Sequence, residues 1–263
     1  MTADAGSTRT PARIGIVGRG RVGNALAGGL RRAGRDVEGP LGRGEQPSAR
    51  LVLLCVPDSE IEAACEVVAG HAAMVGHTSG ATPLGALRAA AERGAEVFGL
   101  HPLQTVAGGE AAESGEAAAL ALRGAGAAIA GSSPAAVATA RALAEDLGME
   151  PFEIDDEQRA AYHAAASVAS NYLLALEATA EEVAAGAGID PGDARALLGP
   201  LVRQTVENWL ARGPAEALTG PVARGDEGTV ERQREAVAAA APGALPLFDA
   251  LTERTRELAR VPA

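Results

Sequence analysis

From Ala12 to about Ile154, short apolar runs alternate with alanine-rich stretches whose apolar positions recur every three or four residues. The runs "RIGIV", "DVEGPL", "LVLLCV", "MVGHTS", "EVFGL", "AAIAG" and "PFEI" predict strands, each too short for a stable helix. The stretches between them predict helices, the first over Val22–Ala33, closed by Gly34 after two arginines. Such alternation implies βαβ units and a mainly parallel, doubly wound sheet, with the later strands free to depart from that order. Thr105–Gly126, rich in Ala, Gly and Glu, predicts a loop carrying one helix.

After "EIDDEQRAA" only the helical period continues. One helix is expected through "AAYHAAASVASNYLLALEATAEEV". A second starts at the Asp190-Pro191 cap, is kinked or broken at Gly199-Pro200 and ends at Gly213-Pro214. Two more are expected at about Thr229–Ala241 and Leu245–Arg260. The chain therefore divides into a loose leader over residues 1–11, an α/β domain over residues 12–154 and an all-helical domain over residues 155–263.

The first strand runs into Gly18, Arg19, Gly20, Arg21, Val22 and Gly23, a G-x-G-x-x-G turn that opens the first helix. In such a turn the first glycine allows the tight bend, the second lets a pyrophosphate approach the backbone, and the third lets helix and strand pack closely. A plain strand–helix corner also needs glycine, so context decides. Arg13, Arg19, Arg21, Arg31, Arg32, Arg35, Arg43 and Arg50 cluster here, and between Arg13 and Arg43 the only acids are Asp36 and Glu38. This basic island suits a polyphosphate, and the α/β domain is read as dinucleotide-binding. Arg43, just past the second strand, is placed for a ribose 2′-phosphate and favours NADP(H) over NAD(H). Glu38 has the spacing of an NAD-type acid but falls inside the strand.

Composition narrows the partners. A net charge of −11 over 263 residues argues against nucleic acid or an anionic membrane, and 2% aromatics leaves no base-stacking platform. No apolar run approaches a membrane span, and the leader lacks the apolar core of a signal peptide. Cys55 and Cys65 form no disulfide framework. A reduced, cytoplasmic protein is expected, and the four histidines show no metal-ligand spacing. No lysine occurs, all 23 basic residues being arginine, which excludes Schiff-base and lysine acid–base chemistry.

Ligands of open α/β sheets lie beyond the carboxyl ends of the strands. There the sequence places the glycine turn, "VPDS", "TSGATP" and "HPLQT". Val56 and Pro57 make an apolar wall for a nicotinamide, with Ser79 and His101 beside it. His101 is either a proton donor or a loop-capping histidine, while His77, in an apolar run, belongs to the core. On the first helix of the helical domain, His163, Ser167, Ser170 and Asn171 share a face, as a substrate site or as an interhelical hydrogen-bond ladder. In "ALTGPVARGD", Arg224 either clamps a substrate carboxylate or locks the loop with Asp226.

"HTSGA", "GLHPLQT", "YHAAASVASNYLLAL" and "ALTGPVARGD" together resemble the Rossmann-like proteins with a C-terminal domain of unknown function, number 2520. The resemblance spans nearly the whole chain from Arg13. It implies a fold similar to 6-phosphogluconate dehydrogenase-like and pyrroline-5-carboxylate reductase-like enzymes, with a helical domain that dimerises. Arg43 matches the arginine of their NADP-recognising Ser-Arg pair, Gly42 replacing the serine. Asn171 matches the asparagine of the β-hydroxyacid dehydrogenases, but Ser167 stands at their catalytic lysine, and Gln233 stands where the family pattern "TVERH" has histidine. The dehydrogenase mechanism therefore does not carry over intact.

The resulting expectation is an NADP(H)-dependent oxidoreductase acting on a small carbonyl or imine compound, for instance a 2-keto acid such as ketopantoate, and forming a homodimer through its helical domain. His101 or His163 donates the proton, Asn171 and Ser79 orient the substrate with Ser167, and Arg224 anchors its charge. The alternatives are a non-enzymatic dinucleotide-binding sensor or scaffold, and a deazaflavin in the same cleft.

Overall fold

The computed structural model describes residues 13–106 and 116–260. The expected leader and residues 107–115 of the expected 105–126 loop lie outside the described residues. Two compact units divide the chain at Val168 and Ala169. The first is built on a seven-stranded sheet: β1 (Ile14–Val17), β2 (Val37–Leu41), β3 (Leu51–Leu54), β4 (Met74–His77), β5 (Glu96–Pro102), β6 (Gly126–Gly131) and β7 (Glu150–Glu153), in the order β2-β1-β3-β4-β5-β6-β7. All neighbours are parallel except β5 and β6, which run antiparallel with Leu100 opposite Ile129. The strand order reverses at β1, which puts the switch-point crevice at the ends of β1 and β3.

Both faces of the sheet are covered, which is why its strands read as continuous apolar runs. Leu53, Phe98, Leu100 and Ile129 pack on one face with Leu26 and Leu30 of α1 (Arg21–Arg32) and Leu143 of α5 (Pro134–Asp146). Val52, Leu54 and Val97 face the other way, against Ile61 and Val68 of α2 (Ile61–Val68) and against Leu87, just before α3 (Arg88–Ala91). Gly76 sits mid-strand because a Cβ there would lie 2.3 Å from the Phe98 ring. Pro40 is tolerated because β2 is an edge strand. A short α4 (Glu116–Ala121) precedes β6.

The composition changes at Asp155, but α6 (Arg159–Ala169) begins with a buried arginine tied to the sheet's loops, and the compact units part at its last residue. The second unit holds α7 (Asn171–Gly186), α8 (Pro191–Ala217), α9 (Glu227–Ala240) and α10 (Leu245–Ala259). Asp190 caps α8 as the sequence predicts, accepting from Gly192 N at 2.9 Å, and Asp226 caps α9, accepting from Thr229 N at 3.1 Å.

Two breaks differ from expectation. The helix expected through residues 160–183 is interrupted at Ser170 (φ −119°, ψ −73°), so it is two helices, and His163 and Ser167 are not on one continuous face with Asn171. Conversely, α8 passes through Gly199-Pro200 with helical backbone and breaks only at Gly213 (φ 76°). Gly199 carries no Cβ to clash with the proline ring, which removes most of the usual penalty.

Candidate functional site

The three motif glycines do different work. At Gly18 (φ +116°) a Cβ would lie 2.1 Å from the Cys55 carbonyl oxygen, because β1 exits directly against the end of β3. At Gly23 a Cβ would lie 2.0 Å from the Gly18 carbonyl oxygen. Both are glycine because protein fills the space. Gly20 is the exception: nothing stands within 4 Å of its would-be Cβ. It is the N-cap of α1, with no side-chain cap and no acid in the first turn, so free amide hydrogens and the positive end of the helix dipole meet an open space.

That space is part of a cleft of about 660 Å³ lined by Gly18, Arg19, Gly20, Gly42, Arg43, Val56, Pro57 and Glu60, among others. Arg21 is exposed and Val22 packs on the core, and neither lines the cleft. Arg19 is held by Glu45 at 2.9 Å and by the Pro40 carbonyl at 3.3 Å. Arg43 pairs with Glu60 and keeps a largely exposed side chain. Glu38 is withdrawn from the cleft: its carboxylate accepts from Ser48 N, Ser48 Oγ and Ala49 N at 2.8–3.0 Å. Those hydrogen bonds, the Ser48 amide foremost, hold it below its ordinary pKa.

Along the rim, the β4 and β5 exits build a second cluster, about two strand spacings (~10 Å) from β3. Ser79 is buried, its hydroxyl bonded to Asp58 Oδ2 at 2.8 Å and Thr82 Oγ1 at 2.9 Å while accepting from Thr82 N at 2.9 Å. Those bonds commit it to the shape of the 79–82 turn. His101, half-buried at the end of β5, has Tyr162 Oη 2.7 Å from Nδ1, and its ring lies 5.9 Å from that of His163. Burial, aided by His163 and Arg159, pushes its pKa down to about 4, so its ring is neutral at pH 7. His77, fully buried as expected, is likewise pushed to about 4, again chiefly by burial.

Arg159 is the fixture of this cluster. Its side chain is 1% exposed, its Nε bonds Asp156 Oδ1 at 2.6 Å, and Asp156 Oδ2 accepts from Leu84 N at 2.9 Å. Gly99 gives it room, since a Cβ there would lie 2.5 Å from Nη2. Sequence reading missed Arg159, Tyr162 and Asp58. The available signals were the Asp156/Arg159 spacing of three at a helix start and the Tyr-His pair that opens "YHAAAS".

Comparison with known families agrees with this architecture. Residues 43–102 match a Rossmann-like domain and residues 126–255 match the domain of unknown function DUF2520. The chain joins a Rossmann-like domain to a DUF2520 domain. No curated protein matches it. Among solved structures, a Bacteroides fragilis protein named an NADP oxidoreductase is 21% identical, with 94% of this chain and 98% of that one covered and a TM-score of 0.75. A Thermotoga maritima protein is 21% identical, with 94% and 98% covered and a TM-score of 0.73. The pyrroline carboxylate reductase of Plasmodium falciparum, with NADP bound, is 11% identical, with 94% and 98% covered and a TM-score of 0.59. Identities this low establish the fold and nothing finer.

The DUF2520 match begins in β6, so the family's boundary falls inside the sheet and includes Tyr162 and His163. Ser167 is half-buried on α6, and Asn171 is exposed at the first position of α7. Arg224 is exposed on the 221–225 turn, and Asp226, rather than pairing with it, caps α9. Gln233, Thr219, Val222, Phe248 and Thr252 line a cavity of about 300 Å³ within the helical unit. Among the described residues no three His, Cys, Asp or Glu side chains gather as metal ligands, and no helix is long and apolar enough to cross a membrane.

Proposed function

We propose that this protein is an NADP(H)-dependent oxidoreductase that moves hydride to or from a small carbonyl or imine compound. The observation that carries the reading is the unfilled space at Gly20, ahead of the uncapped α1 and beside Arg19 and Arg43. The residues fit the cofactor: α1 amides for the pyrophosphate, Arg43 and Arg19 for a 2′-phosphate, Val56 and Pro57 for the nicotinamide. A bound nicotinamide supplies the hydride. The chain's own part is to hold the reactants and to provide a proton at His101 Nε2, as a neutral donor. Ser167, Asn171 and Arg224 are substrate-binding proposals on their sequence pattern alone.

Calorimetry with both pyridine nucleotides tests the cofactor assignment. NADPH is expected to bind at least about tenfold more tightly than NADH, and Arg43→Ala to remove roughly 1.5–3 kcal/mol from NADPH binding while sparing NADH. Heat with neither nucleotide would falsify the reading. Tight binding without turnover of any compound in a carbonyl and imine panel favours the sensor instead, a reading that the absence of lysine keeps in play.

We further propose a homodimer through the helical unit. Leu174, Leu197, Leu201 and Leu210 are 64–70% exposed, α7 contains no buried residue and α8, among the described residues, only Ala194. Helices so short of buried apolar surface need a partner face. Sedimentation velocity is expected to give a dimer, and the Leu197→Glu/Leu201→Glu double variant a monomer. A monomeric wild type at micromolar concentration would end this proposal.

A further inference from the structure

Tyr162 is the side chain bonded to His101. An imidazole and a phenol 2.7 Å apart share one hydrogen in either of two ways. The hydroxyl donates to a bare Nδ1, or Nδ1–H donates to the hydroxyl oxygen, whose own hydrogen must then find another acceptor. Among the described residues the Tyr162 hydroxyl bonds only to His101, and its other ring neighbour, Phe152, offers no oxygen. Donation to Nδ1 therefore satisfies both groups, and the reverse leaves a half-buried hydroxyl unpaired. The first arrangement places the hydrogen of the neutral ring on Nε2. That atom lies over Gly80, where a Cβ would be 2.9 Å from Nε2 and 2.7 Å from His163 Cδ2. Among the described residues Nε2 itself has no hydrogen-bond partner, so it is the nitrogen left to offer to a ligand.

We propose that Tyr162 is a positioning residue that holds His101 as a neutral imidazole with its hydrogen on Nε2, and that it resupplies Nδ1 when Nε2 gives its proton away. The second half rests on the oxidoreductase reading, and the first does not. The groups facing the ring are Arg159 and His163 from α6 and Asp58 from the turn after β3. Arg159 and His163 oppose a second proton on the ring, as does burial, and Asp58 only partly offsets them. When Nε2 protonates an oxygen or nitrogen of a substrate undergoing reduction, the Nε2–H bond breaks and the new O–H or N–H bond forms on that atom's lone pair. Nδ1 takes the Tyr162 proton, so the imidazole stays neutral with its hydrogen moved to the other nitrogen. Burial pushes the Tyr162 hydroxyl up to about 12, so the phenolate does not persist: once the product leaves, Nε2 takes a proton from water and Nδ1 returns its own to Tyr162, which restores the starting tautomer.

The test is two-bond ¹H–¹⁵N correlation on the full chain labelled with ¹⁵N-histidine, His101 being assigned by its loss in His101→Asn. In the wild type the Nε2–H form is expected to outnumber the Nδ1–H form by about tenfold or more, with no titration down to pH 5. In Tyr162→Phe the two forms are expected to come within a few fold of each other, with the circular dichroism unchanged. A wild-type ring carrying its hydrogen on Nδ1, an imidazolium at pH 7, or a tautomer ratio indifferent to Tyr162→Phe would overturn the proposal. The wild-type spectrum decides the tautomer even where the variant does not fold. Titrating the same samples with NADPH keeps the two readings apart, since absent binding removes the oxidoreductase reading and leaves the tautomer standing.

Discussion

Gly20→Ala is expected to leave the protein folded and to weaken dinucleotide binding by about 100-fold, or roughly 2.7 kcal/mol. Gly18→Ala, two residues away, is expected to cost more than about 3 kcal/mol of stability and to yield little folded protein. The contrast follows from what each Cβ would meet. At position 18 the methyl would be driven to 2.1 Å from the Cys55 carbonyl oxygen, just past β3, and held at a φ that L-residues avoid, so the two strand ends would have to part. At position 20 the backbone is extended (φ −74°, ψ 179°), no described atom stands within 4 Å, and replacing Gly by Ala at an N-cap costs only about 1 kcal/mol. The only thing a methyl at Gly20 would displace is a ligand pressed against the α1 amides. Thermal unfolding and calorimetry on the two variants check both halves. Native affinity in Gly20→Ala would mean that no phosphate lies there.

Acid is expected to destabilise the protein well above the carboxylate range. His77 and His101 are both pushed down to about 4 in the folded chain, burial being the first cause in each. Unfolded, each takes a proton near pH 6.5. Between those values the unfolded state binds up to two more protons than the folded one, so stability is fully present above about pH 6.5 and falls as the pH drops toward 4. The slope approaches about 2.7 kcal/mol per pH unit where both contribute, and each histidine accounts for on the order of 3 kcal/mol in all. His77→Asn, whose amide oxygen can take the place of Nδ1 as acceptor from Ser79 N, is expected to lower that slope by about one proton, or ~1.4 kcal/mol per pH unit. Urea unfolding at pH 7, 6 and 5 and one protein concentration measures it. Equal stability at all three would show that these rings titrate normally.

Much of the sheet was legible because the inner strands are apolar runs bounded by turn residues, and a strand covered on both faces has to be apolar throughout. The cleft was legible for a related reason: Gly18, Gly20 and Gly23 stand at the spacing of a phosphate-binding turn directly after an apolar run, with Arg19 between them, although the contact that demands Gly18 comes from Cys55 at the end of another strand. The rim cluster was harder. His101 announces itself as a histidine after a strand, but nothing local says that Tyr162, 61 residues later, bonds to it. The Asp156/Arg159 spacing marks a pair at a helix start, but by itself it does not say that the arginine is buried. Ser79 illustrates the reverse limit. A serine after a strand looks available to a ligand, yet its hydroxyl is engaged by Asp58 and by the backbone of its own turn.

Sequence alone determined the succession of elements, the glycine corner and the basic surround of the cleft, since these follow from local sterics, hydrophobic period and charge within one βα unit. Tertiary structure alone decided the antiparallel β6, the interruption at Ser170, the withdrawal of Glu38 by Ser48 and Ala49, and the pairing of His101 with Tyr162. Each of these joins groups from separate elements or depends on competition between local propensity and packing. A hydrogen bond between distant residues leaves no periodic trace in the chain, because only the folded sheet brings its two ends within reach.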